Sequence, residues 1–153
     1  MWITSPTDLR KWHSELKLGE RRYFVTSELD CPHCTQIKLH VKVYFVLHKL
    51  REHLGKPVIV TSGYRCPTYN QRVGGVKNSA HTKGYAVDIR CGDSRTRLKV
   101  VRFLLDSVFT LPQVEEVFRV QRIGLAEDFI HFDLDPDKPK GVIWVYGSRR
   151  HIA

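Results

Sequence analysis

Two short stretches of this chain carry side chains that can do chemistry together. Ser79-Ala-His-Thr-Lys-Gly-Tyr-Ala-Val-Asp88 supplies an imidazole and a carboxylate, and Asp128-Phe-Ile-His131-Phe-Asp133 supplies a second imidazole flanked by acids. Three protein ligands (His81, Asp88 and His131) leave a divalent cation one open position for water, and Asp128 is placed to take that water's proton. This is the inventory of a hydrolytic zinc site. With two neutral imidazoles and one carboxylate the ion keeps a positive charge, enough to bring a bound water's pKa from about 15.7 to about 7. Other divalent ions also suit such a set. The remaining six of the eight histidines show no comparable pattern and are expected to be incidental.

The elements that must position these groups follow from periodicity. Side chains alternate across a strand, so burying Val87 and Ile89 turns Asp88 to the opposite face beside the small Ala86. Gly84 permits a sharp turn that returns His81 towards Asp88. By the same alternation His131 and Asp133 share a face, with Ile130 and Phe132 on the other. Asp128, three residues back, belongs in a turn after Ala126-Glu127. Asp133 either orients His131 from behind or forms an outward salt bridge. A single His or Asp at such positions is more often structural than a ligand. An aspartate on a strand otherwise built to be buried is harder to explain that way, because an unpaired buried carboxylate is costly.

Around this centre, Ser5-Pro6 opens a helix through about Leu16. A second helix runs from about Lys38 to Leu54 and stops at Gly55. Pro57–Thr61 reads as a buried strand, and residues 62–84 as a long loop rich in Gly, Asn, Ser, Pro and Tyr. Tyr85–Ile89 reads as a strand. Ser94 caps a third helix with Leu98, Val101, Leu105 and Val108 on one face. Strands are expected at Glu116–Arg122, Phe129–Leu134 and Val142–Tyr146. Helices followed by strands indicate an α+β fold with a mainly antiparallel sheet, in one domain over residues 1–153.

Composition excludes several classes. An apolar share of 42% and a charged share of 27% are those of a globular protein, and no apolar run approaches the roughly 20 residues of a membrane span. The start lacks the pattern of a secretory signal, so synthesis in the cytoplasm is expected, with release needed for work outside. A net charge of +9 suits an anionic partner such as nucleic acid, anionic lipid or cell-wall polymer. The basic residues, among them Arg21, Arg22, Arg95, Arg97, Lys138, Arg149 and Arg150, are dispersed, and a solvated basic surface explains them equally well. Lysine and arginine do not interleave with aromatics as in a nucleic-acid groove, so no specific nucleic-acid partner is expected. A monomer is expected.

The two motifs resemble the zinc D-alanyl-D-alanine carboxypeptidase family. That family includes the vancomycin-resistance dipeptidases and the phage L-alanyl-D-glutamate endolysins, and shares its fold with the hedgehog signalling domain. Ser79, His81, Gly84, Ala86 and Asp88 match its S-x-H-x-x-G-x-A-x-D pattern; Asp128, His131 and Asp133 match its acid-x-x-H-x-D segment. Thr61-Ser-Gly-Tyr-Arg65-Cys-Pro-Thr-Tyr-Asn70 and Val73-Gly-Gly75 resemble its upstream segment. The likeness runs from about Glu28 to Leu134 and is greatest to compact phage and prophage forms. It implies zinc on His81, Asp88 and His131, Asp128 as base, Arg65 on the substrate's carbonyl or carboxylate, and Ser79 lining the substrate pocket. The alternative for Arg65 is a salt bridge within the loop. The substrate implied is the peptide part of peptidoglycan, cut either as a terminal D-Ala-D-Ala carboxypeptidase or as an L-Ala-D-Glu-type endopeptidase. The competing reading is a non-catalytic binding module on the same fold, against which the full set of ligands and base argues.

The four cysteines form a separate question. Cys31-x-x-Cys34 with Cys66 and Cys91 can hold a second, structural zinc, but single cysteines at long separations make this the minority reading. Free thiols or one disulfide are preferred, with Cys66 and Cys91 expected near each other beside the site. His33 is expected to be an exposed loop residue. A Cys-x-x-Cys oxidoreductase lacks its usual βαβ surroundings.

Overall fold

A computed structural model describes residues 1–147. Arg149 and Arg150, counted above among the basic residues, lie outside the described residues, as does the end of the expected domain. The chain begins with β1 (Trp2–Ile3), followed by α1 (Pro6–Glu15), which starts where the Ser5 hydroxyl accepts the Asp8 N–H at 3.1 Å. β2 (Leu39–His40) pairs antiparallel with β1. That pairing takes Leu39 and His40 out of the following helix, α2 (Val41–Leu54), which therefore starts later than Lys38. His40 Nδ1 accepts the Lys42 N–H at 3.1 Å as its cap, and Gly55 ends it at φ 66°. Val41, Val43, Tyr44, Phe45, Val46, Leu47, His48 and Leu50 are all buried, so α2 is the central helix.

β3 (Val60–Ser62) is an edge strand, which corrects the expectation of a buried strand over Pro57–Thr61. Val58 and Val60 pack on the core while Ile59, 47% exposed, points out. Within the long loop lies one short helix, α3 (Pro67–Arg72). Then come β4 (Ala86–Arg90) and α4 (Ser94–Asp106). The cap of α4 is Asp93, whose Oδ1 accepts the Thr96 N–H at 2.8 Å, and not its neighbour Ser94. The inward face is also offset from the expected one. Val100 and Leu104 are buried, whereas Leu98 (58%), Leu105 and Val108 are exposed.

β5 (Phe109–Leu111) and β6 (Glu116–Phe118) form a separate antiparallel pair. The strand expected over Glu116–Arg122 is thus divided, its end joining β7 (Arg122–Leu125). β8 (Phe129–Asp133) and β9 (Val142–Val145) complete a five-stranded sheet in the order β3-β4-β8-β7-β9, antiparallel except for β7 with β9. The fold is α+β. No described helix is long and apolar enough to cross a membrane.

Val87 and Ile89 of β4 and Ile130 and Phe132 of β8 enter one core with Val43, Val46, Leu47 and Leu50 of α2. A one-residue slip of either strand would turn that strand's two residues away from the core. At about 1.5–3 kcal/mol for each buried side chain, the slip costs roughly 3–6 kcal/mol, a large part of the stability of a domain. Register is therefore fixed by packing, and Asp88 and His131 are carried with it.

Three of the histidines expected to be incidental are structural. His13 Nε2 donates to the Gly19 carbonyl at 2.8 Å, so its Nδ1 accepts the Tyr44 hydroxyl at 2.7 Å. His48 is buried in α2, and its Nε2 lies 3.2 Å from the Arg21 carbonyl. Burial, with Lys42 nearby, pushes the His40 pKa down to about 4, and burial lowers that of His13 as well. Both imidazoles are neutral in the fold and take up protons more readily when it opens. Stability from this source is present above the unfolded pKa of about 6.5 and is lost as pH falls towards 4. Melting temperature is predicted to drop across that window, and His40→Ser, which keeps a cap acceptor, is predicted to shallow the drop in a pH series of thermal melts.

Candidate metal centre

β4 and β8 place Asp88 directly opposite His131, with Gly124 of β7 on the other side of His131. His81 arrives from the preceding turn. The Ser79 hydroxyl accepts the His81 N–H at 3.2 Å, and the Ser79 carbonyl accepts both the N–H and the hydroxyl of Thr82. The turn closes at Gly84, φ +80°, where a Cβ would come within 2.6 Å of the Lys38 carbonyl oxygen. Ligating atoms of His81, Asp88 and His131 all lie within 4.8 Å of one another. The three residues are 0%, 3% and 0% exposed.

Proton bookkeeping on the two rings tests whether a cation fits. His81 Nδ1 lies 2.8 Å from the Gly63 carbonyl, which can only accept, so Nδ1 carries the hydrogen and Nε2 is the free nitrogen. That Nε2 faces Asp88 Oδ1 at 3.1 Å. His131 Nε2 lies 2.7 Å from Asp133 Oδ2, again an acceptor, so the free nitrogen is Nδ1, and it faces the same Asp88 Oδ1 at 2.8 Å. Two imidazole lone pairs and a carboxylate oxygen therefore converge with no hydrogen between them when both rings are neutral. A cation, or protons on both rings, must supply the missing positive charge. The set fits zinc, which takes neutral imidazole and carboxylate oxygen.

Electrostatics at the centre are compensated from outside. Asp88 Oδ2 accepts from Arg65 Nη2 at 3.3 Å, which leaves Oδ1 for the cation. Asp133 Oδ1 accepts from Arg122 Nε at 2.8 Å. Burial alone raises the Asp88 pKa, but the adjacent His81 and His131 outweigh it and hold the carboxyl well below its usual range. For His81 burial wins over Asp88 and lowers the pKa; for His131 burial is outweighed by the bonds to Asp133 and Asp88, which raise it.

The other expected site residues fall in different places. Asp133 is buried behind His131 and does both things expected of it: Oδ2 faces His131 Nε2, and Oδ1 forms an ion pair with Arg122, which reaches in from the start of β7. Arg65, expected at the substrate, is 1% exposed, with Nε on the Ser62 hydroxyl, Nη1 on Asn70 Oδ1 and Nη2 on Asp88. The ion pair reaches Asp88 on β4 and is not made within the loop. Ser79, expected to line the pocket, is fully buried, and its hydroxyl holds the turn that bears His81. Asp128 is exposed in the turn between β7 and β8, where its carbonyl accepts the Cys91 N–H at 2.9 Å. Cys91 lies against Asp93 at the start of α4, apart from the thiol group formed by Cys31, Cys34 and Cys66, so Cys66 and Cys91 are not the expected neighbours. All four cysteines are free.

Several supporting groups escaped sequence reading. Arg97 Nη2 on α4 donates to the carbonyls of Cys91, Ala126 and Glu127 at 3.2, 3.1 and 2.7 Å, clamping the turn that carries Asp128. Trp144 of β9 packs 5.4 Å from His131 by ring centroids, and the buried Tyr146 hydroxyl lies in the field of Asp88 and Arg65.

A model of the family described as Peptidase M15 matches residues 22–133, more than two thirds of the chain. The chain belongs to the peptidase M15 family. The M15 match covers all three clustered residues, Arg65, Asp128 and Asp133. A comparison with curated proteins finds no match.

Asp133→Asn keeps the shape behind His131 but offers Nε2–H a weaker acceptor. It is predicted to weaken zinc binding about 10–100-fold in competition with a chromophoric chelator, with an unchanged circular-dichroism spectrum.

Proposed function

We propose that this M15 family member is a zinc-dependent peptidase acting on the stem or cross-link peptides of peptidoglycan. The observation that carries the metal is the convergence of His81 Nε2, His131 Nδ1 and Asp88 Oδ1, with the remaining nitrogen of each ring tied to a fixed acceptor. The substrate class rests on the resemblance of the two motifs to enzymes of wall peptides, and a charge of +9 suits an anionic wall polymer. Work at the wall after release from the cell that makes it belongs to the same proposal.

Zinc at this position supplies Lewis acidity, polarising the scissile carbonyl and acidifying a water molecule. The chain's own residues do the rest. Asp128, exposed on its turn, is the group proposed to take the proton from the attacking water and return it to the departing amine. Arg97 holds that turn through the carbonyls of Ala126 and Glu127 and ties it to that of Cys91. Asp133 fixes the His131 tautomer, and Gly63 fixes that of His81. Arg65 acts here as a positioning residue that keeps Asp88 charged and presented through one oxygen.

Incubating the protein with purified peptidoglycan and identifying the fragments by mass spectrometry is predicted to show amide cleavage that a chelator abolishes and zinc restores. The fragments also decide between carboxypeptidase and endopeptidase action. Asp128→Ala is predicted to retain its metal and lose turnover by about 10²–10⁴-fold. Unchanged muropeptides from zinc-loaded protein would favour the non-catalytic binding module instead.

A further inference from the structure

A second cluster of ligating groups lies outside the centre described above. Cys31, Cys34 and Cys66 bring their three sulfurs within 4.8 Å of one another. Around a zinc with Zn–S of about 2.3 Å, tetrahedral sulfurs lie about 3.8 Å apart. His33 Nδ1 is 3.5 Å from Cys66 Sγ. That is about the N-to-S separation of an imidazole and a thiolate on neighbouring corners of one tetrahedral zinc; no ring nitrogen of His33 lies within 4.8 Å of all three sulfurs, so its exposed side chain turns further towards Cys31 and Cys34 to complete the set.

The backbone around these sulfurs is arranged for negative charge. The N–H of Cys66 donates to Cys31 Sγ at 3.4 Å, and those of His33 and Cys34 are directed at the same sulfur. The Tyr69 N–H donates to Cys66 Sγ at 3.4 Å, and the Gln36 N–H is directed at Cys34 Sγ. Such bonds favour a thiolate over a thiol. The turn that presents them depends on Thr35 at φ +60°, a left-handed conformation that a β-branched residue rarely takes. It is closed by Thr35 N–H on the Cys31 carbonyl and Cys31 N–H on the Gln36 carbonyl, both at 2.8 Å. Backbone strain of this kind persists where surrounding structure over-determines it. Three sulfurs cannot all be satisfied by one disulfide, whereas a soft divalent ion takes all of them.

We propose that Cys31, Cys34 and Cys66, with His33 as fourth ligand, form a structural zinc site distinct from the His81, Asp88 and His131 centre. The ion ties the segment before β2 to residues 63–66. That short segment supplies the Gly63 carbonyl to His81 and the Arg65 guanidinium to Asp88, so the structural ion fixes the groups that aim the other centre. Cys91 has no part in it. This revises the fourth ligand of the sequence-based alternative and promotes that alternative over free thiols.

The test is metal content and cobalt spectroscopy of the full chain, purified with zinc and without chelator. Two zinc ions per chain are expected, falling to one in Cys34→Ser and in His81→Ala. Cobalt-loaded wild type and His81→Ala are expected to show a near-ultraviolet sulfur-to-cobalt charge-transfer band. Cys34→Ser and Cys66→Ser are expected to lose it, and Cys91→Ser to keep it. Should the cysteine variants fail to fold, the band in His81→Ala decides alone, because the imidazole–carboxylate centre contains no sulfur. One zinc per chain with no sulfur band, or an intact mass two hydrogens light from a disulfide that persists with zinc present, would overturn the proposal. Neither result touches the peptidase reading, which the peptidoglycan digest judges separately.

Discussion

One carboxylate organises this molecule. Asp88 is buried in the middle strand pair of the sheet, where an unpartnered charge costs several kcal/mol, and four groups make its burial tolerable. Arg65 holds one oxygen; His81, His131 and the cation they call for address the other. Remove that convergence and the rest loses its purpose: the turn at Ser79, the glycine at 84, and the arginine buried under a loop all serve to bring partners to this side chain. The core serves it too, because the packing of Val87, Ile89, Ile130 and Phe132 fixes the register that opposes Asp88 to His131.

The compensation of charge has a chemical consequence. Both carboxylates near the rings, Asp88 and Asp133, are matched by arginines, Arg65 and Arg122. Negative charge that would otherwise quench a divalent ion is shared with guanidinium groups, so an ion held there would keep more of its Lewis acidity. The segment from Gly63 to Cys66 is the mechanical counterpart. It packs so closely on Leu29 that a Cβ at Gly63 would lie 2.3 Å from the Leu29 carbonyl oxygen. A loop held that tightly can aim a carbonyl at His81 and a guanidinium at Asp88 without a strand of its own.

Sequence periodicity made the central pair of strands readable, since Val87 and Ile89 alternate with Asp88 as Ile130 and Phe132 do with His131. What it could not show were partners from distant segments. The role of Asp133 was undecidable because Arg122, which buries and balances it, sits on another strand. Arg97 explains the offset of α4: an arginine reads as surface, yet this one points inward at the β7–β8 turn, rotating the buried stripe to Val100 and Leu104. Asp93 and Ser94 were equally good caps by residue type, and only geometry separates them. Cys66 was too far from Cys31 in the chain for their proximity to be legible, and Pro57–Thr61 had the composition of an inner strand while lying at the sheet edge.

The most direct measurement of the central claim is a crystal structure of the zinc-loaded protein with anomalous data collected at the zinc edge. An anomalous peak is predicted in bonding contact with His81 Nε2, Asp88 Oδ1 and His131 Nδ1, with the other nitrogens still on Gly63 and Asp133. A map with no peak shared by these three side chains, at full zinc loading, would contradict it.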